Sequence, residues 1–211
     1  MEVVICPGGP VMTNAYVVAD GAGVAVVIDV GFDPEALARV VDSRGWRVAA
    51  IVATHGHFDH VAGNAAARQR WDAPLWMHPL AVPVATAAGE HAQWFGLDCP
   101  DSPPPDRTFE HGDQLQVGQL TFEVRHTPGH SPGGVTLCMP GHAFVGDCLF
   151  AGSIGRTDLP HSDHELLMRS IREQLMTLPD ETVVYPGHGE TTTIGVERTT
   201  NPFRFGWEPS R

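Results

Sequence analysis

The chain has 211 residues, a hydrophobic fraction of 42%, a charged fraction of 18% and a formal net charge of −12. These values fit one globular domain over residues 1–211, long enough to bury a sizeable core. The negative charge argues against a nucleic-acid partner, because a nucleic-acid-binding surface needs a basic face.

The first part of the chain predicts strands followed by a helix. Apolar runs separated by glycine-rich turns predict strands at 3–5, 15–19 and 24–29. Asp33 is a good N-cap and Pro34 suits the first helical position, so we expect a helix from there to Gly45. Residues 48–53 form a continuous apolar run, which is typical of a strand covered on both faces.

A motif of metal-ligand type follows this strand directly, with the sequence Thr54-His55-Gly56-His57-Phe58-Asp59-His60. Imidazole and carboxylate groups suit Zn²⁺ or iron far better than hard cations such as Ca²⁺. His55 and His57 lie two residues apart, so both can point to the same side of an extended chain. Asp59 and His60 follow as a helix begins, where they can address a second metal. A bare His-x-His would be a weak signal, but the full string after a buried strand is far more specific.

The remaining elements repeat the same order. Helices are expected over 61–71, where Gly63 lets the helix pack close to the site, and over 163–177, capped by Ser162 or Asp163. A helical signal over 80–94 is interrupted by proline and glycine. Further strands are expected at 75–78, 114–117, 120–126, 135–139, 143–146 and 182–185. Two similar halves in a layered α/β fold, with helices outside, follow from this order.

Three of the later strands also end in a residue of ligand type. His130 stands in Thr127-Pro128-Gly129-His130, Asp147 follows Val145-Gly146, and His188 stands in Tyr185-Pro186-Gly187-His188-Gly189. Together with the string at 54–60, these residues resemble the metallo-β-lactamase superfamily over nearly the whole chain. The resemblance implies an αββα sandwich, in which two mixed β-sheets carry helices on their outer faces.

The resemblance also implies a role for each residue. His55, His57 and His130 correspond to the ligands of a first metal, and Asp59, His60 and His188 to those of a second. Asp147 corresponds to a carboxylate that bridges the two. The implied cofactors are two divalent ions. Zinc is the preferred metal, and iron and manganese are the alternatives. Two such ions about 3.5–4 Å apart can hold a hydroxide, because a bound metal lowers the pKa of water to about 7. Asp59 would orient that hydroxide and move a proton.

Four segments resemble the glyoxalase II branch of the superfamily and its compact single-domain relatives, namely 127–133, 146–150, 152–158 and 200–203. This likeness implies hydrolysis of a small-molecule thioester such as S-lactoylglutathione or a related acyl-thiol, by a monomer or homodimer. Only 23 residues follow His188, too few for the helical C-terminal domain that supplies basic contacts to glutathione in the long form. The identity of the thiol therefore does not carry over.

Other functions remain open at this point. Persulfide dioxygenases share the ligand string and an element like residues 155–158, but they bind a single iron through two histidines and an aspartate. The presence of Asp59, His60 and His188 favours two metals. A non-catalytic metal-binding module would usually show a lost ligand, and none is lost here. Lactone or β-lactam hydrolysis is a conceivable side activity of the same hydroxide.

Arg156 and Asp158 have two competing interpretations. Asp158 could orient a metal-bound histidine, since ligating imidazoles usually donate their other N–H to a carboxylate. A surface ion pair between the two is the alternative. His161 and His164 lie near this loop in sequence, but we expect ordinary exposed or hydrogen-bonded roles for them and for the remaining histidines (78, 91, 111, 126 and 142).

The sequence indicates a cytoplasmic protein with no membrane partner. No apolar run approaches the roughly 20 residues that span a bilayer. The first basic residue is Arg39, so no secretory signal is visible. The four cysteines, at positions 6, 99, 138 and 148, are widely spaced and are expected to be reduced and structural. Cys148 follows Asp147, and we expect it to be a small buried apolar side chain.

Overall fold

Two six-stranded β-sheets lie face to face in the structure, a computed structural model that describes residues 1–207. The strands, in chain order, are β1 (Glu2–Gly8), β2 (Thr13–Ala19), β3 (Val24–Ile28), β4 (Arg47–Val52), β5 (Leu75–Met77), β6 (Arg107–Thr108), β7 (Gln114–Val117), β8 (Leu120–His126), β9 (Val135–Met139), β10 (His142–Gly146), β11 (Leu149–Phe150), β12 (Ser153–Ile154), β13 (Val183–Pro186) and β14 (Thr192–Thr193). The first sheet has the order β1-β2-β3-β4-β5-β6, and the second has the order β14-β13-β10-β9-β8-β7. β11 and β12 form a separate two-stranded ribbon.

Both sheets are mixed and follow a similar plan. In the first, β1, β2 and β3 are antiparallel, and β4, β5 and β6 continue parallel to β3. In the second, β7 to β10 are antiparallel, and β13 then lies parallel to β10. This arrangement agrees with the two similar halves expected from the sequence.

The helices lie on the outer faces of the two sheets. They are α1 (Pro34–Arg44), α2 (Phe58–Val61), α3 (Asn64–Trp71), α4 (Val82–Ala85), α5 (Ala88–Gln93), α6 (His164–Ser170) and α7 (Ile194–Thr200). Short 3₁₀ turns cover Pro79–Ala81 and Arg204–Gly206, and a π-helical turn over Ile171–Leu175 continues α6. None of the helices within residues 1–207 is both long and apolar enough to cross a bilayer.

Three hydrophobic clusters separate four layers. The side chains of strand β2 contribute to two of these clusters. Val17 packs towards the helices of the first half, whereas Tyr16 and Val18 pack between the sheets. Side chains of a strand alternate between its two faces, so a fully apolar strand must be covered on both. The third cluster joins the second sheet to α6 and α7 through Leu167, Ile194 and their neighbours. The αββα sandwich implied by the resemblance is therefore confirmed.

The helix expected over 61–71 is divided in two and begins earlier, at Phe58. The break falls at Gly63, where the chain passes against the end of β3. A Cβ at this position would lie 2.5 Å from the carbonyl oxygen of Gly31 and 2.5 Å from Val30 Cγ1. The close packing expected of Gly63 is therefore present, directly after α2, which carries Asp59 and His60.

The helix expected over 163–177 is also altered. Asp163 is its N-cap, and its carboxylate accepts a hydrogen bond from the backbone N–H of Leu166. Only residues His164–Ser170 are α-helical before the π-turn over Ile171–Leu175 begins. The sequence predicts an inward face of Leu166, Leu167, Ile171 and Leu175. The last three are fully buried and pack on the second sheet, whereas Leu166 is only half-buried and lies outside that cluster.

Candidate metal centre

The candidate residues meet where strands of both sheets end. His55, Asp147 and His188 follow β4, β10 and β13, whose carboxyl ends all lie at this edge of the sandwich. His130 follows β8, and α2 brings Asp59 and His60. The two sheets are joined at this edge by a hydrogen bond of 2.9 Å from Val135 N–H to the Thr54 carbonyl. All seven residues identified in the sequence are therefore within one site.

Four of the five imidazoles have their Nδ1 occupied by the protein. His130 Nδ1 lies 2.8 Å from the Arg156 carbonyl oxygen, and His188 Nδ1 lies 3.2 Å from that of Val11. Carbonyl oxygens only accept hydrogen bonds, so each Nδ1 carries the proton. Whenever such a ring is neutral, its Nε2 is left with the lone pair, directed into the site.

Asp29 fixes two further imidazoles and was not recognised in the sequence. It follows β3, has a positive φ of 58° and is buried. Its carboxylate accepts from Thr54 N–H at 2.7 Å and from Thr54 Oγ1 at 2.7 Å, and it lies 3.0 Å from His60 Nδ1. Because the Thr54 hydroxyl proton goes to Asp29, Thr54 Oγ1 accepts from His55 Nδ1, 3.1 Å away.

The fifth imidazole completes a group of three. His57 Nδ1 lies 2.8 Å from His130 Nε2, and nitrogen atoms of His55, His57 and His130 lie within 4.8 Å of one another. Since the Nδ1 proton of His130 is committed to a carbonyl, its Nε2 faces His57 as a lone pair. The three nitrogen atoms are therefore close enough to act together as ligands of one cation.

A second group adjoins the first. His60 Nε2 lies 3.4 Å from Asp59 Oδ2 and 3.3 Å from Asp147 Oδ1, and His188 Nε2 lies 3.1 Å from Asp59 Oδ2. Asp147 Oδ2 is 3.5 Å from the Nε2 atoms of both His130 and His188. Asp147 therefore contacts both groups, as expected of a bridging carboxylate.

Three buried ligand-type atoms of the site make no well-directed hydrogen bond among the described residues: His55 Nε2, His60 Nε2 and Asp147 Oδ1, the last two only 3.3 Å apart. A buried polar atom without a partner is costly, and such atoms are rare in folded proteins. Imidazole nitrogens and carboxylate oxygens are the ligands that zinc and iron take. The residues present therefore fit divalent cations bound at this point.

Protonation differs between the two groups. Burial, and then the charge of His60, lowers the pKa of His55 well below its usual value. Burial and the neighbouring His130 lower the pKa of His57 to about 3. Burial would also lower the pKa of His188, but hydrogen bonds to Asp147 and Asp59 raise it to about 10. His55 and His57 are therefore held neutral, the form that binds a cation, whereas His188 would have to lose a proton first.

The carboxylates are held in the charged form. Burial would raise the pKa of Asp59, but the charge of His60 and hydrogen bonds from His188 and Thr13 lower it to about 2. Burial likewise acts to raise the pKa of Asp147, and the same two histidines hold it well below its ordinary value. Both side chains are thus charged acceptors at neutral pH, ready for a cation.

The start of β2 connects the two sheets at the site. Thr13 Oγ1 donates to Asp59 Oδ2 at 2.7 Å. The Asn14 side-chain amide donates to the carbonyl oxygens of Pro186, at 3.0 Å, and Gly189, at 2.8 Å. These bonds hold the loop that carries His188, and they orient the carboxylate beside it. No local pattern in the sequence marks either residue, because both act on segments distant along the chain.

Gly187 has a steric function in the same loop. A Cβ at this position would overlap Asp147 Oδ1 and would lie 2.6 Å from His60 Cε1. Any side chain here would therefore displace both residues from the centre of the site.

A cleft of about 210 Å³ opens above this centre. Five of the seven residues lie on its floor: His57, Asp59, His130, Asp147 and His188. The walls are mostly apolar, and they include Val11, Phe58, Val84, Trp94, Phe95, Leu159 and Pro160. His91 and His161 also line the cleft, although the sequence predicted ordinary roles for both. His164 does not reach the cleft and lies beside Phe203.

The structure decides between the two interpretations of Asp158. Its two carboxylate oxygens lie 2.6 and 2.8 Å from the Arg156 guanidinium, and the pair is exposed. The group that fixes His130 is instead the backbone carbonyl of Arg156. The idea that Asp158 orients a histidine of the site is therefore wrong, and the surface ion pair is confirmed.

Cys148 is unsuited to act as a nucleophile. Burial raises the pKa of its thiol to about 12, whereas nucleophilic cysteines react as thiolates. All four cysteines of the chain are free, as expected, and Cys148 packs in the cluster beneath α6. The reactive groups of the site are thus its histidines and carboxylates.

Comparison with known proteins decides the family. The family model of the metallo-beta-lactamase superfamily matches residues 8–188, which include all seven candidate metal ligands and Asp29. The chain belongs to this superfamily. Its fold binds divalent metals, which agrees with the three His and Asp groups found here.

Individual relatives of this superfamily cover almost the whole chain. Hydroxyacylglutathione hydrolase GloC of Haemophilus influenzae is 36% identical over 207 residues, which make up 96% of this chain and 98% of that protein. The B3 metallo-beta-lactamase BLEG-1 is 38% identical with a TM-score of 0.91, over 96% of this chain and 99% of that one. TTHA1623, crystallised in a di-iron-bound form, is 44% identical with a TM-score of 0.88, over 95% and 99%. The superfamily and the fold expected from the sequence are thereby confirmed.

Replacing Asp29 by asparagine should weaken metal binding. Both oxygens of Asp29 accept hydrogen bonds, but an asparagine has only one oxygen that can accept, and its nitrogen only donates. Asparagine therefore cannot satisfy Thr54 and His60 together, and His60 loses its fixed orientation. We expect the metal affinity to fall by about 10–100-fold, the usual effect of losing such a partner. Titration of the metal-depleted protein with Zn²⁺ would measure this.

The matched control is Asp158→Asn, which removes the same charge from the exposed pair. This variant should bind Zn²⁺ with an affinity close to that of the wild type. Equal losses in the two variants would contradict the roles assigned to Asp29 and Asp158.

Proposed function

We propose that this protein is a metal-dependent thioester hydrolase that acts on a small molecule, S-lactoylglutathione or a related acyl-thiol. The observation that carries the proposal is the convergence of five imidazoles and two carboxylates at one site, three of the imidazoles and both carboxylates on the floor of a cleft, with buried ligand atoms that lack a protein partner. The likeness to hydroxyacylglutathione hydrolase GloC along almost its full length supports this reaction class.

The proposal includes two divalent cations, and zinc is the preferred metal. His55, His57 and His130 would hold one, Asp59, His60 and His188 the other, and Asp147 would bridge them. Bound cations of this kind lower the pKa of water and polarise a carbonyl group. The di-iron form of TTHA1623 supports a centre with two ions, and it also keeps iron as an alternative metal.

Asp59 would position the attacking water and take its proton. The closest contacts of Thr13, His60 and His188 to this carboxylate all go to Oδ2. Oδ1 is then the oxygen that accepts the proton, and the Thr13 hydroxyl keeps the carboxylate from rotating. A positioned acid or base of this kind typically contributes 10²–10⁴-fold to a rate.

A panel of acyl-thioesters would test the reaction. The metal-loaded protein should cleave S-lactoylglutathione or other members of the panel, and a chelator should abolish the turnover. Release of free thiol would be followed with a thiol reagent, and oxygen would be monitored with glutathione persulfide in parallel. Oxygen consumption without thioester cleavage would show that the chain is a persulfide dioxygenase instead.

Metal analysis would test the number of ions. The wild type should hold two divalent ions per chain. His188→Ala removes one ligand of the second group and leaves His55, His57 and His130 intact, so it should retain close to one. A single ion per chain in fully loaded wild-type protein would contradict the two-metal proposal.

Asp59→Asn would test the proton acceptor. The substitution preserves size and one carbonyl oxygen but removes the charge and the basic oxygen. We expect kcat to fall by about 10²-fold or more, while KM changes little because the rest of the substrate is bound by the cleft walls. The metal content must be measured on the same sample. Near-normal turnover with full metal loading would show that Asp59 is not the base.

A further inference from the structure

The mouth of the cleft exposes an unusual amount of apolar surface. Trp94 and Phe95, which follow α5, are 54% and 43% exposed, and Val11 of the β1–β2 turn is also exposed. All three line the cleft. Single exposed apolar residues are common, but several that border one concave site indicate binding of an apolar group.

The aromatic wall is supported from below and continues down to the metal centre. The ring of Phe95 lies 5.3 Å from that of Phe58, which in turn lies 6.1 Å from Phe32. Phe58 stands between His57 and Asp59 in the sequence, so the same short segment supplies the floor and supports the wall. The ring of Trp94 packs 4.6 Å from His91. Each ring of the wall is therefore in contact with another aromatic side chain.

Away from its floor, the cleft offers an anionic group one guanidinium and the imidazoles of His91 and His161. Among the described residues that line it, Arg156 is the one arginine, and the chain contains no lysine. Both oxygens of Asp158 already bind its guanidinium, which lies 5.9 Å from the centre of the Phe95 ring. Glutathione carries two carboxylates, and the lining provides no unpaired arginine for either.

We propose that the cleft selects its substrate by an apolar group seated on the Trp94–Phe95 wall, and not by the carboxylates of glutathione. This inference rests on the proposed thioester hydrolysis and names the substrate class: thioesters with a bulky apolar group on the acyl or the thiol side. Burial of apolar surface against the rings supplies the selectivity.

A matched substrate series tests the proposal on the metal-loaded protein. Acetyl and phenylacetyl thioesters of the neutral thiol N-acetylcysteamine vary the acyl side, and acetyl thioesters of benzyl mercaptan and glutathione vary the thiol side. We expect kcat/KM to rise by about tenfold or more when the aromatic group is present on one of the two sides. The glutathione thioester should show no advantage over that of N-acetylcysteamine.

Variants separate the wall from a general effect on the protein. Trp94→Ala should reduce the ratio of kcat/KM between the aromatic and the acetyl substrate by about tenfold, and Trp94→Phe should restore most of it. Phe205 is 68% exposed and lies outside the cleft lining, so Phe205→Ala should leave the ratio unchanged. A ratio that is the same in wild type and Trp94→Ala would overturn the proposal, as would a preference of tenfold or more for the glutathione thioester.

Thioethers that cannot be hydrolysed distinguish failure of this inference from failure of the proposed reaction. S-phenethyl-N-acetylcysteamine should bind to the metal-loaded wild type more tightly than S-ethyl-N-acetylcysteamine, and Trp94→Ala should remove the difference. This result without any thioester cleavage would refute the hydrolysis and support the apolar subsite. Cleavage with equal binding of the two thioethers would support the hydrolysis and refute the subsite.

Discussion

Nitrogen lone pairs that are forced together inside a protein need a positive charge between them. The protein commits the Nδ1 protons of His130 and His188 to carbonyl oxygens, and those of His55 and His60 to the Thr54–Asp29 pair. Each of these rings can then offer only Nε2 to the centre. This constraint explains why groups outside the predicted ligand set matter: they decide which nitrogen of each ring is free to bind a cation.

The position of these groups depends on how the two sheets pack. Tyr16 lies between them, with its ring 5.3 Å from Phe144 and 5.7 Å from Tyr185, while its hydroxyl donates to the Pro186 carbonyl at 2.5 Å. One side chain therefore belongs both to the hydrophobic core and to the support of the His188 loop. Core packing and site geometry are coupled through it, because a shift between the sheets would move ligands of one half away from those of the other.

The sequence predicted the site well because each ligand follows an apolar strand, and strands that run in parallel bring their carboxyl ends to the same edge. It did not predict Asp29, because an acidic residue at the end of 24–29 has no neighbour of ligand type in the sequence. Its partners, Thr54 and His60, become neighbours only when β3 and β4 pair. The carbonyl that orients His130 was missed for a related reason: a backbone oxygen has no signature in sequence, so the nearby Asp158 was the visible candidate.

The negative charge of the chain and the apolar walls of the cleft both suit the proposed reaction. A thioester with an apolar group need carry no charge, whereas its hydrolysis yields a carboxylate. The chain has a net charge of −12, and the arginine in the cleft lining is paired with Asp158. The field of an acidic protein repels an anion and does not act on a neutral molecule in the same way. Under the proposed reaction, the cleft would therefore admit a neutral apolar substrate along its aromatic wall, and the charge of the chain would favour departure of the anionic product.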